Sequence, residues 1–435
     1  MNKNDLKIAE LFSGAGGLSL GFILANHPQV QFHPVLAIDN DTKSLASYKY
    51  NMEWLLENAP NVIDIMPGIF ERDVETLKVS AVLRMLKLEM GELDLLIGGP
   101  PCQGFSSSNR RGKAKSKADR NKLIDVFLNK LNEFRPKMFL IENVQGVQWT
   151  EPTKEMNPVL LQEGLFPEIE SKPTDVRKFL IRKATALGYH VWYDVLDAVE
   201  FGVPQHRMRF FLFGVRSDLI SDKDTINLTP YLNKLVSKQK ISVEEAIGDL
   251  PPVENGQSWI GNNYDPADNE YIKKIRCFMQ NKDLFDHVTT LHAEYVIERY
   301  KKIPAGGNWK DIREDMNNYK KVDNTHSNIY RRLLNDEPAN TISHYRKSMI
   351  IHPSQHRGLS FREACRLQSF PDWFRFQGTN NNRQQQLANA VPPLMASMVA
   401  KAIGDLWTQL MSDDKTEIKA DTINNILREP EIISG

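Results

Sequence analysis

A chain of 435 residues, 41% apolar and 25% charged, has globular composition and length enough for two or three domains. Its 55 basic and 55 acidic residues cancel, so any nucleic-acid surface must be a local patch rather than a global field. Cys102, Cys277 and Cys365 lie far apart with no Cys-x-x-Cys pair, which argues against a disulfide framework or a zinc site, and no run of about 18 apolar residues suggests a membrane span.

The polar start Met1 to Asp5 reads as no signal peptide, so a reducing cytoplasm is the expected compartment. Lys7 to Leu11 predict a short strand, Phe12 to Gly17 a glycine-dense turn, and Leu18 onward a helix. Such a turn exposes backbone amides to an anionic or polar ligand. A second strand, Pro34 to Ile38, ends in Asp39, about where a Rossmann-like site places the carboxylate for a ribose hydroxyl pair. Asp73 follows a third predicted strand; its side chain either accepts from an adenine amine or caps a helix.

The apolar run Leu93 to Ile97 predicts a buried strand that stops at Gly98-Gly99-Pro100-Pro101, presenting Cys102. The proline rings restrict the backbone just before the thiol, which suits a mounted nucleophile better than a core cysteine. Arg110 to Lys122 carries seven basic residues and one acid, so it cannot be core; it is either a solvated loop or, lying beside the candidate nucleophile, a segment able to close over a phosphate backbone. A further strand, Met138 to Ile141, delivers Glu142-Asn143-Val144 to the same carboxyl edge of the sheet, where ligands of open α/β folds gather.

Residues 148–174 read as a surface insertion before a helix near Val176, without assigned chemistry. Val191 to Leu196 and Arg209 to Val215 predict the last two strands. Before the second, Gln205-His206-Arg207-Met208-Arg209 places two arginines at alternate positions, a paired fork for a carbonyl oxygen or a phosphate, or an edge-strand ion pair. From about 216 to 350 the alternation fades into an irregular region; a helix at Phe361 to Leu367, a turn at Gln386 to Pro393 and a long helix to about Met411 close the chain.

In this order the residues resemble the DNA cytosine carbon-5 methyltransferases of bacterial restriction-modification or Dcm-like type, over about two thirds of the chain. The resemblance is carried by Phe12-Ser13-Gly14-Ala15-Gly16-Gly17, Pro100-Pro101-Cys102-Gln103, Glu142-Asn143-Val144, Gln205-x-Arg207-x-Arg209, Arg357-x-Leu359-x-x-Arg362-Glu363-x-x-Arg366-Leu367-Gln368 and Asn389-Ala390-Val391-Pro392-Pro393. It implies an α/β fold: a Rossmann-like S-adenosylmethionine-dependent methyltransferase sheet with helices on both faces, plus a smaller irregular target-recognition domain. The expected division is 1–215 catalytic, 216–383 target recognition, 384–411 a helix returning to the catalytic domain, and 412–435 a polar tail.

The implied catalytic residues are Cys102 as nucleophile on carbon 6 of a flipped cytosine, Glu142 on its amine and ring nitrogen, and Arg209 on its oxygen, with Arg207 in support. The implied cofactor wall is Phe12, Ser13, Gly14, Gly16, Gly17, Leu18, Asp39, Asn40, Asp73, Val74, Pro100, Asn389 and Val391, and no metal is required. Gln103, Ser106, Arg110, Arg111, Lys113 and Thr341 are the implied contacts to double-stranded DNA with a short specific sequence. The resemblance further implies a monomer on DNA, paired with a restriction or phage-defence system. Ala388 stands where the family usually has glycine, so the backbone beside the methionine end of the cofactor is expected to be slightly less free.

A nicotinamide dehydrogenase shares the glycine turn and Asp39 but has no use for Pro-Pro-Cys or Glu142. An amine methyltransferase needs no covalent activation and typically carries an Asp/Asn-Pro-Pro-aromatic tetrad there. A tRNA cytosine enzyme of the same family and a non-catalytic DNA-binding relative are the remaining rivals; the long variable region favours DNA, and intact Cys102 and Glu142 favour catalysis.

Overall fold

The computed structural model describes residues 5–101, 122–144, 148–149, 174–220, 226–261, 264–318 and 328–412. Continuous apolar runs become the strands of a sheet covered on both faces. Its elements begin with β1 (Asp5–Leu11), α1 (Gly17–Ile23), β2 (Gln31–Asp39), α2 (Thr42–Asn58), β3 (Gly68–Glu71), α3 (Val79–Leu86), β4 (Leu95–Gly98), α4 (Lys122–Phe134) and β5 (Met138–Val144). A two-residue pair follows, β6 (Gln148–Trp149) with β7 (Thr174–Asp175), then α5 (Val176–Ala186), β8 (Tyr189–Asp197) and β9 (Met208–Arg216).

The seven-stranded sheet runs β3-β2-β1-β4-β5-β9-β8. The five from β3 to β5 are parallel, and β9 runs against both of its neighbours. The carboxyl ends of β1, β4 and β5 therefore share one edge with the amino end of β9. The pleat sorts side chains between two faces. Ile8, Ile97, Leu140 and Phe211 pack with Leu18 and Phe22 of α1 and with Met395, Val399 and Ile403 of the C-terminal helix. Leu11, Leu96, Ile141 and Leu212 pack with α3, α4 and α5 through Val82, Phe127, Leu131 and Leu180. Each such fully buried side chain contributes about 1.5–3 kcal/mol relative to exposure.

The chain does not leave the sheet at residue 216. Ile226, Leu228 and Leu232, the last in α6 (Thr229–Leu235), join the same core face as α1. The irregular region begins beyond them with α7 (Val243–Ile247), α8 (Glu270–Ile275), α9 (Glu294–Lys302), α10 (Tyr345–Ser348), α11 (Phe361–Leu367) and α12 (Asn380–Asn389), after which α13 (Pro393–Met411) returns to the sheet. A small core of Val296, Tyr300, Trp309, Ile312, Tyr330 and Ile351 organises its middle. Its remainder packs on α2, where Trp54 and Trp373 stack with centroids 4.4 Å apart.

Residues expected to form a turn at Gln386 to Asn389 are instead the last turn of α12, an Asn- and Gln-rich helix started by a Thr379–Asn382 capping box. Polar composition hid it, because a helix with little apolar periodicity gives no stripe to read. Pro393 opens α13 as expected.

Candidate active site

The turn after β1 is held from below. Phe12 and Gly14 adopt φ of 57° and 53°, and Gly16 lies at φ 89°. A Cβ on Gly16 would stand 2.6 Å from the Tyr48 ring, so this position needs glycine for both conformation and space. The carboxylate of Asp39 accepts from the amides of Gly14 and Asp41, each at 2.8 Å. Asp39 thus shapes the turn as well as lining it, and each oxygen keeps a lone pair for a hydroxyl. Burial holds its carboxyl above the ordinary carboxylate value.

The turn preceding α13 closes over the same place. A Cβ on Gly17 would lie 2.6 Å from the Val391 carbonyl oxygen, so two segments far apart in sequence meet at the start of α1. Leu18 and Val391 are buried there, Asn40 and Asn389 are exposed, and Pro100 is buried at the end of β4. Asp73 caps the single helical turn Val74–Thr76 through its bond from the Glu75 amide, so of its two readings the cap is the one the structure displays.

Two buried groups here have no partner among the described residues. The Ser13 hydroxyl is one; Oε2 of Glu10 is the other. Glu10 shares its face of the sheet with Ile8 and lies near Ser19 and Asp39; burial pushes its carboxyl to about 8 against hydrogen bonding from Ser19. The sequence reading missed it. The available signal was an acid inside the apolar run Ile8 to Leu11.

At the adjoining strand ends, Glu142 and Arg209 point to the face that carries α1, since they alternate in register with Leu140 and Phe211. Their side chains meet at 2.8 Å between Oε1 and Nε, both about 10% exposed. Burial raises the Glu142 carboxyl above its ordinary value while the Arg209 and Arg207 charges oppose the rise. Oε2 of Glu142 faces Gly99, where a Cβ would crowd it at 3.1 Å, so glycine leaves the oxygen unobstructed. Asn143 donates to the Pro100 carbonyl at 3.1 Å, tying β5 to the turn that leads into Cys102.

The two arginines do not form one fork. Arg209 is on Glu142, whereas Arg207, 1% exposed, donates to the carbonyls of Ile342, Ala388 and Ala390. The segment Pro204 to Arg207 precedes β9 and pairs with residues 339–342 instead of continuing the sheet, which turns its side chains toward new neighbours. Thr341 is exposed, and its hydroxyl donates to the His206 carbonyl at 2.7 Å. Cys102, Gln103, Ser106, Arg110, Arg111 and Lys113 lie outside the described residues, as does most of the 148–174 insertion.

The family model for C-5 cytosine-specific DNA methylases matches residues 6–166 and 167–405. The chain belongs to that family. This C-5 cytosine-specific DNA methylase is 31% identical over 431 residues to the type II methyltransferase M.DdeI of Desulfomicrobium norvegicum, covering 95% of this chain and 92% of the relative. It is 28% identical over 467 residues to the type II methyltransferase M.AgeI of Thalassovita gelatinovora, covering 92% and 99%. Among solved structures, a putative DNA modification methyltransferase encoded within an E. coli prophage superposes with a TM-score of 0.65 at 24% identity, over 93% of this chain and 99% of that one, which supports the α/β methyltransferase fold. No helix among the described residues is long and apolar enough to cross a membrane.

Proposed function

We propose that this methylase transfers a methyl group from S-adenosylmethionine to carbon 5 of a cytosine flipped out of double-stranded DNA at a short specific sequence, through a covalent bond from Cys102 to carbon 6. The observation that carries the reading is the buried Glu142–Arg209 pair at the strand edge, directly beside the turn that leads to Cys102.

The cofactor pocket fits the residues present. The turn Phe12 to Gly17 with Leu18 cradles the methionine portion, and the unpartnered Ser13 hydroxyl supplies a donor or acceptor there. Asp39 and Asn40 take the ribose, Asp73 and Val74 the adenine edge, and Pro100, Asn389 and Val391 close the wall. When bound, the cofactor supplies an electrophilic methyl group on a sulfonium. Everything else is the work of the protein.

Carbon 5 of cytosine is a weak nucleophile until carbon 6 carries an electron-rich substituent, and a thiolate adds there more readily than a hydroxyl. Negative charge then develops on the ring. Glu142, with its carboxyl raised by burial, can offer a proton to the ring nitrogen and accept from the exocyclic amine. Arg209 holds that carboxyl and reaches the ring oxygen, and Arg207 supports from behind. Loss of the carbon 5 proton and then of the thiolate restores the aromatic base.

A stacked base hides carbon 6, so the cytosine leaves the duplex at a cost of a few kcal/mol. Gln103, Ser106, Arg110, Arg111 and Lys113 are proposed to hold the opened strand, Thr341 to sit at the recognition surface, and the protein to act as a monomer. The likeness to type II methyltransferases supports pairing with a restriction or other defence nuclease in the cytoplasm. Bisulfite sequencing of DNA from a host expressing the protein tests the proposal. Full conversion resistance at one short sequence is expected, and uniformly unmethylated DNA despite abundant folded protein would overturn it in favour of RNA modification or DNA binding alone.

A further inference from the structure

Arg207 is two residues from the arginine on Glu142, yet both terminal nitrogens of its guanidinium are spent on scaffolding, while its buried Nε has no partner among the described residues. Nη1 donates to the Ile342 carbonyl at 3.1 Å, and Nη2 donates to the carbonyls of Ala388 at 2.7 Å and Ala390 at 3.0 Å. Ile342 follows Thr341, which the proposed function puts at the recognition surface, and both belong to the recognition segment, residues 339–342; Ala388 and Ala390 flank Asn389, just before the Val391 carbonyl that rests on the start of α1. One buried side chain thus bridges two segments that sequence separates by more than forty residues.

The recognition segment is also laced to the chain around Arg207. The Ala339 amide donates to the Pro204 carbonyl at 2.9 Å and the His206 amide to the Ala339 carbonyl at 2.8 Å. Oε1 of Gln205 accepts from the Ile342 amide at 2.9 Å, and its Nε2 donates to the Leu367 carbonyl at 3.0 Å. The recognition segment therefore cannot shift without pulling on the strand that carries Arg209.

We infer that Arg207 is a positioning residue that couples target recognition to cofactor affinity, by holding the recognition segment and the turn before α13 on one rigid donor fork. The inference rests on the reading that Thr341 faces DNA and that Asn389 to Val391 face the cofactor. The guanidinium is planar, so its two terminal nitrogens move together. A tilt that lengthens the bond to Ile342 also disturbs those to Ala388 and Ala390, leaving the Ala390 carbonyl only a 3.4 Å bond from Gln368, and a poorly partnered carbonyl is costly. Seating one segment favours seating the other, and such coupling is reciprocal by thermodynamic necessity.

The test is calorimetric titration of S-adenosylhomocysteine into the full chain, alone and saturated with sheared duplex DNA of mixed sequence. Duplex is expected to tighten binding about tenfold in the wild type, within the usual range of coupling between sites. Arg207→Lys keeps the charge but offers a single donor centre, so the enhancement should fall below about threefold. General structural damage would weaken each ligand alone and leave the enhancement intact. Gln205→Ala removes the acceptor on the Ile342 amide and leaves the Arg207 bonds to the α12–α13 turn in place; by loosening the recognition segment it should lower the same factor, and it carries the test if Arg207→Lys does not fold. An enhancement equal in wild type and both variants, or none in wild type that binds each ligand, would overturn the coupling alone. Failure of the wild type to bind duplex at all would overturn the proposed function with it.

Discussion

Two buried arginine–carboxylate clusters in this methylase have the same chemistry and opposite finish. At the junction between the irregular region and α2, Asp372 is fully buried and accepts from Nε and Nη2 of Arg366 and from Nη1 of Arg276 at 2.8–2.9 Å, with Arg362 nearby. Burial works against its charge, but these cations overcome it and hold the carboxyl below its ordinary value. At the strand edge Glu142 has one arginine, Oε2 facing the side-chain-free Gly99, and a carboxyl raised above its ordinary value. A saturated cluster is a fastening. An unsaturated one keeps bonding capacity for a substrate, and the difference lies in the number of donors rather than in the residue types.

The contrast can be broken by exchanging the readouts. Arg366→Met leaves Asp372 and Asp249 without their main partner and should cost about 3–5 kcal/mol of stability in a denaturant titration, the usual loss when one member of a buried pair is removed. Glu142→Gln should lower kcat about 10²- to 10³-fold, as loss of one transition-state contact does, while the denaturation midpoint moves little. A Glu142→Gln protein that melts early but methylates normally would erase the distinction between the clusters.

Glu10 sharpens the same point through pH. The unfolded chain ionises such a carboxyl from about 4.5 upward, whereas the folded protein keeps it protonated until about 8, so the group subtracts stability progressively as pH rises across that interval. Glu10→Gln should therefore raise the melting temperature at pH 8 relative to wild type and leave it nearly unchanged at pH 4.5. The smallest effect belongs to Ala388. Its residue lies within α12, where alanine is at home, so Ala388→Gly should cost about 0.5–1 kcal/mol of stability and leave S-adenosylhomocysteine affinity within about twofold.

β2, β4 and β5 were legible because central parallel strands are covered on both faces and so read as largely apolar runs; β1 was found the same way although Glu10 interrupts it, while β3 is a short, half-buried edge strand. Glu142 and the glycine turn were legible because short motifs at strand ends fix local geometry. The partners of Arg207 were not, since Ile342 and Ala390 lie 135 and 183 residues away and only tertiary packing brings them to it. Residues 226–235 return to the sheet through buried Ile226, Leu228 and Leu232, with Tyr231 and Leu235 half-buried beside them; the stretch is short and set among polar residues, so it reads as part of the irregular region. Glu10 was overlooked because apolar periodicity weighs the run and not the one acid within it.

The most direct measurement of the central claim is covalent trapping. Full-length protein is incubated with S-adenosylmethionine and duplex DNA carrying 5-fluorocytosine at the mapped target, then resolved under denaturing conditions. The account predicts a stable protein–DNA adduct in the wild type, slow adduct formation in Glu142→Gln and none in Cys102→Ser; an adduct that persists in Cys102→Ser would contradict it.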